Sequence, residues 1–501
     1  MMAATRVGVL LWGLSWLAAS DADGQGYRLR LDSRFQSVAF RGVSLDSILA
    51  SAIVTGASGG FQSPDGFAVR CVPGEAFCRF FRPGPNLKSA PLVTTGDLTL
   101  WGLGIRGLSL RANGRWGTDL SSGDRWPGTQ PAAQLLEGYI EYSAERLTGR
   151  LGRQQVTGRL GWIGFDGADV VLRAQGIGLD LSGYVGWGLS RGSNVPINSP
   201  SLNPLDDFQL SRRHVLAGAA LGWRSRYADA RLEYRRELDP SVDYFISERT
   251  ALTATFRPTD RLSVNGATEY DLAQGWWGSS DLSLRYHGRF LDADGGVRRY
   301  RPHFELWTIW GAFSPAPYTT VNGSVTASPV RQLRLRAGGE RYWFDETEAE
   351  TALTSFEDRG WRLSFGATAL LAATLTVDGG YHAEFGPGAS SRTWDGRVTY
   401  LPTPRVSLSL FGSTLARPLE FRFDEAQVDV VGLDAELRAS DQLHFALSGG
   451  QYFEERRRPD AGAFDWNQFR VQARVTWIFG SGADQNRLPP AIRRGARRPA
   501  R

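Results

Sequence analysis

Apolar and polar residues alternate along most of this chain, and this period of two constrains the fold more than any other feature. A clear example is the stretch from Leu179 to Ser190, which reads LDLSGYVGWGLS. A strand with this pattern has one apolar and one polar face. A soluble sandwich buries the apolar face, whereas an outer-membrane barrel turns it towards lipid and lines a wet lumen with the polar face. The large number of predicted hairpins favours the barrel.

The first residues have the features of an export signal. Arg6 precedes an apolar run over residues 7–19, and Ser20, Asp21 and Ala22 form a small-residue cleavage site. No later segment has the roughly 18 consecutive apolar residues that a membrane-spanning helix needs. Only strands could therefore carry this chain across a membrane. We predict a signal peptide over residues 1–22, a barrel over 23–479 without a separate N-terminal plug domain, and a basic periplasmic tail over 480–501.

Two kinds of connection alternate between the predicted strands. Short turns are predicted at residues 104–107, 144–147, 226–229, 258–261, 292–295, 329–332, 402–405 and 440–442. Longer loops are predicted at residues 41–91, 119–132, 157–164, 191–213, 345–358 and 455–464. The prediction is an all-β fold, a single transmembrane antiparallel β-barrel of about 22 strands with short periplasmic turns and long extracellular loops.

The positive charge of the chain is concentrated in the tail. The formal net charge is +5 with a pI near 9.3, and the six arginines and one aspartate after Phe479 account for all of that excess. The barrel is therefore close to neutral, and the basic pI does not indicate nucleic-acid binding. Lys88 is the only lysine. Codon bias explains this, but guanidinium groups also suit the binding of carboxylates and phosphates.

Strand parity assigns a set of charged residues to the lumen. These residues alternate with apolar ones on the same strands, and they are Arg28, Arg30, Arg34, Arg111, Arg115, Glu137, Glu141, Arg231, Glu233, Arg235, Glu269, Asp281, Arg285, Arg334 and Arg336. Two interpretations remain open: the charges form a salt-bridge lattice that holds the wall, or they guide solutes.

The only two cysteines lie in the longest predicted loop, as Cys71 and Cys78 on either side of Pro73-Gly74. Pro-Gly favours a tight turn, and exported proteins meet oxidising conditions. We predict a disulfide between them. It would stiffen a loop that either caps the barrel or has no role in transport.

Several enzyme-like strings lack the structural context that their chemistry needs. Residues 102–107 match a dinucleotide fingerprint without a following helix, and residues 56–60 and 188–192 match a nucleophile elbow outside any α/β unit. The five histidines are scattered without metal spacing, so no metal and no cofactor is predicted. His287, with Asp281 or Glu269 nearby, is the best catalytic candidate for a barrel hydrolase, but the sequence favours a protein that is not an enzyme.

One stretch carries a family resemblance. Gly152-Arg153-Gln154-Gln155, then Gly161-Trp162, then the segment from Phe165 to Val170 (FDGADV), resembles the corresponding strands of alginate-export-type porins. The resemblance implies a passive porin for anionic sugars or other small anions. The final strand, which ends at Phe479, resembles the signal by which the barrel-assembly machinery recognises its clients.

The sequence as a whole predicts a porin in the outer membrane of a Gram-negative bacterium for small hydrophilic solutes, and the resemblance implies that these include anions. The expected partners are those solutes, outer-membrane lipid, lipopolysaccharide and the barrel-assembly machinery. A barrel scaffold that sheathes a partner such as a cytochrome is the main alternative, and a barrel-embedded hydrolase is a lesser one.

Overall fold

The computed structural model describes residues 26–55, 61–121, 132–189, 214–238, 245–301, 317–345, 358–386, 391–416, 426–456 and 466–481. The predicted signal peptide and nearly all of the predicted tail lie outside these residues. Within them, no helix is long and apolar enough to cross a bilayer.

The described residues form 26 strands and two short 3-10 helices, Ala50–Ala52 and Gln175–Ile177. The strands are β1 (Gly26–Leu49), β2 (Val54–Thr55), β3 (Phe61–Gln62), β4 (Val69–Arg70), β5 (Phe77–Ser89), β6 (Pro91–Trp101), β7 (Leu108–Asp119), β8 (Ala133–Ser143), β9 (Leu147–Gly158), β10 (Gly161–Ala174), β11 (Leu179–Gly188), β12 (Val215–Arg224), β13 (Ala228–Leu238), β14 (Phe245–Thr259), β15 (Leu262–Asp271), β16 (Trp276–His287), β17 (Leu291–Tyr300), β18 (Tyr318–Val330), β19 (Leu333–Phe344), β20 (Arg359–Ala372), β21 (Leu375–Phe385), β22 (Ser391–Thr403), β23 (Val406–Ala416), β24 (Ala426–Arg438), β25 (Leu443–Arg456) and β26 (Trp466–Gly480).

The wall of the molecule is a closed antiparallel barrel. Each strand from β6 to β26 pairs with the next one, and β1 pairs with β6 on one side and β26 on the other. The closing pair runs from Arg28 opposite Gly480 to Ser37 opposite Val471. The wall therefore has 22 strands and no open edge, which confirms the predicted fold class.

Alternation along the strands separates the two faces of the wall. Large apolar side chains stand exposed on the outer face, as at Leu282 (59% exposed), Leu433 (64%) and Phe469 (62%). The residues between them point inwards and are mostly polar or charged. The apolar surface thus lies on the outside of a hollow barrel, as expected for a wall that contacts lipid.

The first long connection is largely strand, although the sequence predicts a loop over residues 41–91. β1 continues past the wall, and its second half pairs with β5 from Val38 opposite Ser89 to Leu49 opposite Phe77. Both segments alternate, but three prolines and Gly84 between residues 83 and 91 suggested a loop. We call the paired segments Val38–Leu49 and Phe77–Ser89 the β1–β5 ribbon. Its two strands bond to each other, so their backbone groups need no other partner.

The tip of this ribbon has a small core of its own. Cys71 and Cys78 form a disulfide there. Cys78 is buried, and Phe67 stacks on Phe80 with ring centroids 5.9 Å apart. The disulfide therefore joins the returning chain to the ribbon beside this core.

One predicted turn was placed wrongly. Residues 292–295 lie within β17, and the chain turns at residues 288–290, where the Gly288 amide donates to the Leu291 carbonyl at 2.9 Å. Gly295, which suggested the turn, lies within the strand, and the following Gly296 allows a close contact with the neighbouring strand. A Cβ on Gly296 would lie 2.6 Å from the Leu282 carbonyl oxygen.

We expect Leu433→Arg to lower the free energy of unfolding in lipid vesicles by about 2–4 kcal/mol, because it places a guanidinium on the lipid face midway along β24. Denaturant titration after refolding into vesicles measures this loss. Ser448→Arg is the matched control, since Ser448 bonds Asp434 on the inner face and the new charge would lie beside a carboxylate. Equal losses for the two variants would contradict the assignment of faces.

Candidate functional site

The β9–β10 hairpin leaves the wall and enters the lumen. β8 pairs with β9 only as far as Arg153, and β10 pairs with β11 only from Phe165 onwards. β9 and β10 nevertheless continue to pair with each other up to Gly158 opposite Gly161. The segment 154–163 is therefore a tight hairpin detached from both neighbouring strands, and the long loop predicted for residues 157–164 is wrong.

Two glycines allow the hairpin to bend at its base. Gly152 has φ of +133°, and a Cβ there would lie 2.3 Å from the Gly138 carbonyl oxygen. A Cβ on Gly167 would lie 2.1 Å from the Val185 carbonyl oxygen. Neither position can accept a side chain without displacing the neighbouring strand.

Polar contacts fix the direction of the bend. The Arg153 guanidinium forms a two-pronged ion pair with Asp166 at 2.8 and 3.0 Å and donates to the Leu135 carbonyl at 2.9 Å. On the opposite face of the hairpin, the Gln154 side chain donates to the Gly167 carbonyl at 3.1 Å. The stretch that resembles alginate-export-type porins is thus the base of the inward hairpin.

An apolar cluster lies under the hairpin on the inner face of the wall. Ile163 and Phe165 of β10 pack with Leu216 of β12, and Val156 and Tyr184 adjoin them. Phe165 and Leu216 are completely buried, although inner-face positions of a wet lumen would be polar. Burial of these side chains stabilises the hairpin against the β10–β12 wall.

Arg159, at the tip of the hairpin, reaches the inner face several strands away. Its guanidinium lies 2.9 Å from a Glu269 carboxylate oxygen and 2.7 Å from one of Asp281, and it donates to the Ser279 carbonyl at 3.2 Å. The Arg159 backbone amide also donates to the Glu233 carboxylate at 3.0 Å. We call Arg159 with Glu233, Glu269 and Asp281 the latch. It connects the hairpin to β13, β15 and β16 and narrows the lumen.

Glycine is required next to the latch residue. A Cβ on Gly158 would lie 2.3 Å from a Glu233 carboxylate oxygen, and Gly161 has φ of +94°. The tip sequence Gly-Arg-Leu-Gly therefore permits both the tight turn and the close approach to Glu233.

Sequence reasoning placed all three latch carboxylates on the inner face but missed Arg159. The hairpin was interpreted as a loop, so strand parity was not applied to it. A signal was present in the sequence, because Val156, Ile163 and Phe165 occupy the parity positions where a wet lumen requires polar residues. An apolar patch at such positions indicates that something covers it.

Most of the other predicted lumen charges lie in ion pairs along the inner face. Arg30 and Arg34 lie 3.8 and 3.0 Å from Asp32, Arg111 lies 2.9 Å from Asp97 and 3.6 Å from Glu137, Glu141 lies 2.6 Å from Arg150, Arg231 lies 2.8 Å from Glu233, and Arg235 lies 3.1 Å from Glu237. Arg235 and Glu237 are almost completely buried.

Five predicted lumen arginines have no such partner. Within the described part of the chain, no ion pair is formed by Arg28, Arg115, Arg285, Arg334 and Arg336. Arg334 and Arg336 are also well exposed on β19. Their charges are available to a solute in the lumen.

A polar groove of about 350 Å³ lies on the inner face of β17–β22. Arg362 lies at its centre, 2.6 Å from Glu340 and 3.0 Å from Glu384. The Tyr342 hydroxyl donates to Glu384 at 3.0 Å, and His382 lines the same groove. The groove presents both signs of charge to the lumen.

The structure does not bring together the proposed catalytic residues. His287 contacts Asp292 across the short turn, and it lies six residues from Asp281 along β16, which is about 20 Å of strand. Asp281 and Glu269 bind Arg159 instead. Among the described residues, no cluster of three or more His, Cys, Asp or Glu side chains could hold a metal ion.

No protein-family model and no curated protein matches the chain. The resemblance to alginate-export-type porins is therefore not supported by a family match. Similar solved structures include the copper transporter OprC, at 11% identity over 90% of this chain and 80% of that one, with a TM-score of 0.45. OccK3 of Pseudomonas aeruginosa is 10% identical over 92% and 96% of the two chains, with a TM-score of 0.36. OprD of Pseudomonas aeruginosa is 10% identical over 94% and 98%, with a TM-score of 0.39. Conclusions about function below rest on the geometry of this chain.

We expect Arg159→Ala to speed amide hydrogen exchange in residues 156–164 by about 10-fold to 100-fold, because charge-assisted hydrogen bonds contribute about 1.5–3 kcal/mol each. Exchange followed by mass spectrometry measures the change. Arg397→Ala removes another inner-face ion pair, to Asp434 at 2.6 Å, and should leave these residues unaffected. Unchanged exchange in Arg159→Ala would show that the latch does not hold the hairpin.

Proposed function

We propose that this protein is an outer-membrane channel for the passive diffusion of small hydrophilic solutes. The observation that carries the proposal is a closed 22-strand wall with an apolar outer face, a charged inner face and a hairpin latched across part of the lumen. Short turns lie at the end that holds Gly26 and Gly480, which we assign to the periplasm. The latch would then lie towards the external half of the lumen.

The distribution of ion pairs suggests two roles for the charged residues of the lumen: paired charges hold the wall, and unpaired charges act on solutes. Paired residues such as Arg111 with Asp97 neutralise each other locally, whereas Arg334 and Arg336 present uncompensated charge. We propose that these two arginines favour anions on the periplasmic side. Solutes that carry a carboxylate would fit this preference, in line with the anionic solutes that the sequence resemblance implies.

The alternative of a scaffold for a partner protein fits the geometry less well. A hairpin that joins β9–β10 to β15 and β16 occupies lumen space that a sheathed protein would need. A hydrolase is also disfavoured, since the proposed histidine and carboxylates lie far apart. Outer-membrane lipid and the barrel-assembly machinery are proposed as the other partners, because the outer face is apolar and β26 ends on Phe479 and Gly480.

The purified protein should form ion-conducting pores in planar bilayers. Arg334→Gln together with Arg336→Gln should shift the reversal potential in a salt gradient towards cations, because a wall charge acts on ions in a confined lumen. Deletion of residues 482–501 should leave it unchanged, since we propose that this tail lies in the periplasm, where charges are screened within about 8–10 Å at ordinary salt. Absence of conductance in the unmodified protein would contradict the channel itself.

Release of the latch should enlarge the pore. We expect Arg159→Ala to raise the single-channel conductance, because the hairpin loses its contacts with the opposite wall. Arg397→Ala provides the control, as it alters a lumen charge without touching the hairpin. A conductance that falls or stays constant in Arg159→Ala would mean that the latch does not limit the pore.

A further inference from the structure

Two arginines on the outer face of the wall, each opposite a tryptophan, depart from its apolar pattern. Arg341 lies opposite Trp361, and Trp343 lies opposite Arg359, on the paired strands β19 and β20. Their parity matches that of the exposed outer residues Leu335 and Phe365, so all four face outwards. We call Arg341, Trp343, Arg359 and Trp361 the Arg–Trp quartet.

The quartet lies near the end of the wall that carries the long connections. β19 ends at Phe344 and β20 begins at Arg359, and the chain between them is one of the long predicted loops. Tryptophan is typical of the membrane–water interface, where one side of the ring contacts hydrocarbon and the other contacts headgroups. The two guanidinium groups are thus positioned at headgroup depth.

Among the residues that the structure describes, few groups compensate the charges of the quartet. Arg341 lies over the Trp361 ring at 5.0 Å, and Arg359 lies 3.8 Å from Asp358, where both side chains are largely exposed. An exposed ion pair of this kind contributes about 0–1 kcal/mol. Arg299, which also faces outwards, differs because it lies 2.8 Å from Asp345.

A groove extends from the quartet along the outer face. Its upper part, of about 880 Å³, is lined by the quartet, Val321, the paired glycines Gly323 and Gly339, and the polar residues Asn322, Glu340 and Asp358. Its lower part, of about 600 Å³, is almost entirely apolar, and it is lined by Val325, Leu335, Ala337, Phe365, Ala367 and Tyr381, among others. The small residues form the floor and the larger ones form the sides.

The dimensions of the groove match an acyl chain below a headgroup. Leu335 lies six residues from Arg341, or about 20 Å along the strand. An apolar channel of this length with two guanidinium groups at its outer end is complementary to a lipid that bears phosphate. Guanidinium groups bind phosphate oxygens in a two-pronged geometry.

We propose that the quartet and the groove below it bind a phosphorylated glycolipid of the outer leaflet, the lipid A part of lipopolysaccharide. Its phosphates would lie on Arg341 and Arg359, its sugar rings against Trp343 and Trp361, and one acyl chain in the groove. The choice of leaflet rests on the proposed function, because it needs the long connections to be external. Two phosphates on a sugar headgroup match two arginines on adjacent strands better than the single phosphate of a phospholipid.

Native mass spectrometry of the full-length protein, delipidated in detergent, tests this proposal. The probes are diphosphoryl lipid A, lipid A with both phosphates removed, and phosphatidylglycerol. We expect one diphosphoryl lipid A to be retained, and Arg341→Gln with Arg359→Gln to reduce the bound fraction about tenfold through loss of both phosphate contacts. Arg334→Gln with Arg397→Gln is the matched control, since it removes two inner-face charges at residues that do not line the groove.

The outcomes separate the proposal from its alternatives. Equal retention by the two double variants would overturn the site, and equal retention of the dephosphorylated probe would overturn the role of the arginines. Phosphatidylglycerol binding as tightly as lipid A would overturn the choice of occupant. The single-channel conductance of the Arg341→Gln, Arg359→Gln variant should be unchanged. Lipid binding without conductance would therefore count against the channel alone, and conductance without lipid binding would count against the quartet alone.

Discussion

Closure of the hydrogen-bond ladder between β1 and β26 is the constraint on which the rest of the structure depends. A strand wall in hydrocarbon must pair every backbone amide and carbonyl within itself, because no water is available to replace a missing partner. Once the ladder closes, each residue has only two directions, inwards or outwards. The separation of charged and apolar side chains then follows from a period of two in the sequence. A shift of one residue in register would place a row of arginines in lipid.

The same requirement explains which segments can leave the wall. The β9–β10 hairpin and the β1–β5 ribbon each consist of two strands that continue to pair with each other after they leave their neighbours. Their main hydrogen bonds are therefore internal, and departure leaves few backbone groups without a partner. The direction of departure depends on side chains. The hairpin has apolar residues on its inward side and Arg159 at its tip, whereas the ribbon has a small core held by the disulfide between Cys71 and Cys78.

The sequence predicted the fold closely and the candidate site only in part. Alternation identifies strands, their number and their faces, because it reflects the local difference between lipid and water. Alternation does not indicate whether a pair of strands leaves the wall and crosses the lumen. It therefore placed Glu233, Glu269 and Asp281 on the inner face without indicating that Arg159 contacts them. It also misjudged glycine. Gly295 suggested a turn but lies within β17, where the next residue, Gly296, packs closely against β16. Glycine serves both turns and close strand packing, and sequence alone does not separate these roles.

Departures from the alternating pattern carry the most functional information in a wall of this kind. Along most of the barrel, the polar inner residues contact water and the apolar outer residues contact lipid, so these residues indicate the fold but no specific function. Phe165 and Leu216 reverse the rule on the inner face, and the structure covers them with a hairpin that narrows the lumen. Arg341 and Arg359 reverse it on the outer face, at the depth of the headgroups. A charged residue in that position is unfavourable in hydrocarbon and favourable beside a phosphate. The apolar residues on the inner face and the arginines on the outer face therefore have the same explanation. Each set lies where the wall contacts something other than water or hydrocarbon, namely the hairpin on the inside and headgroups on the outside.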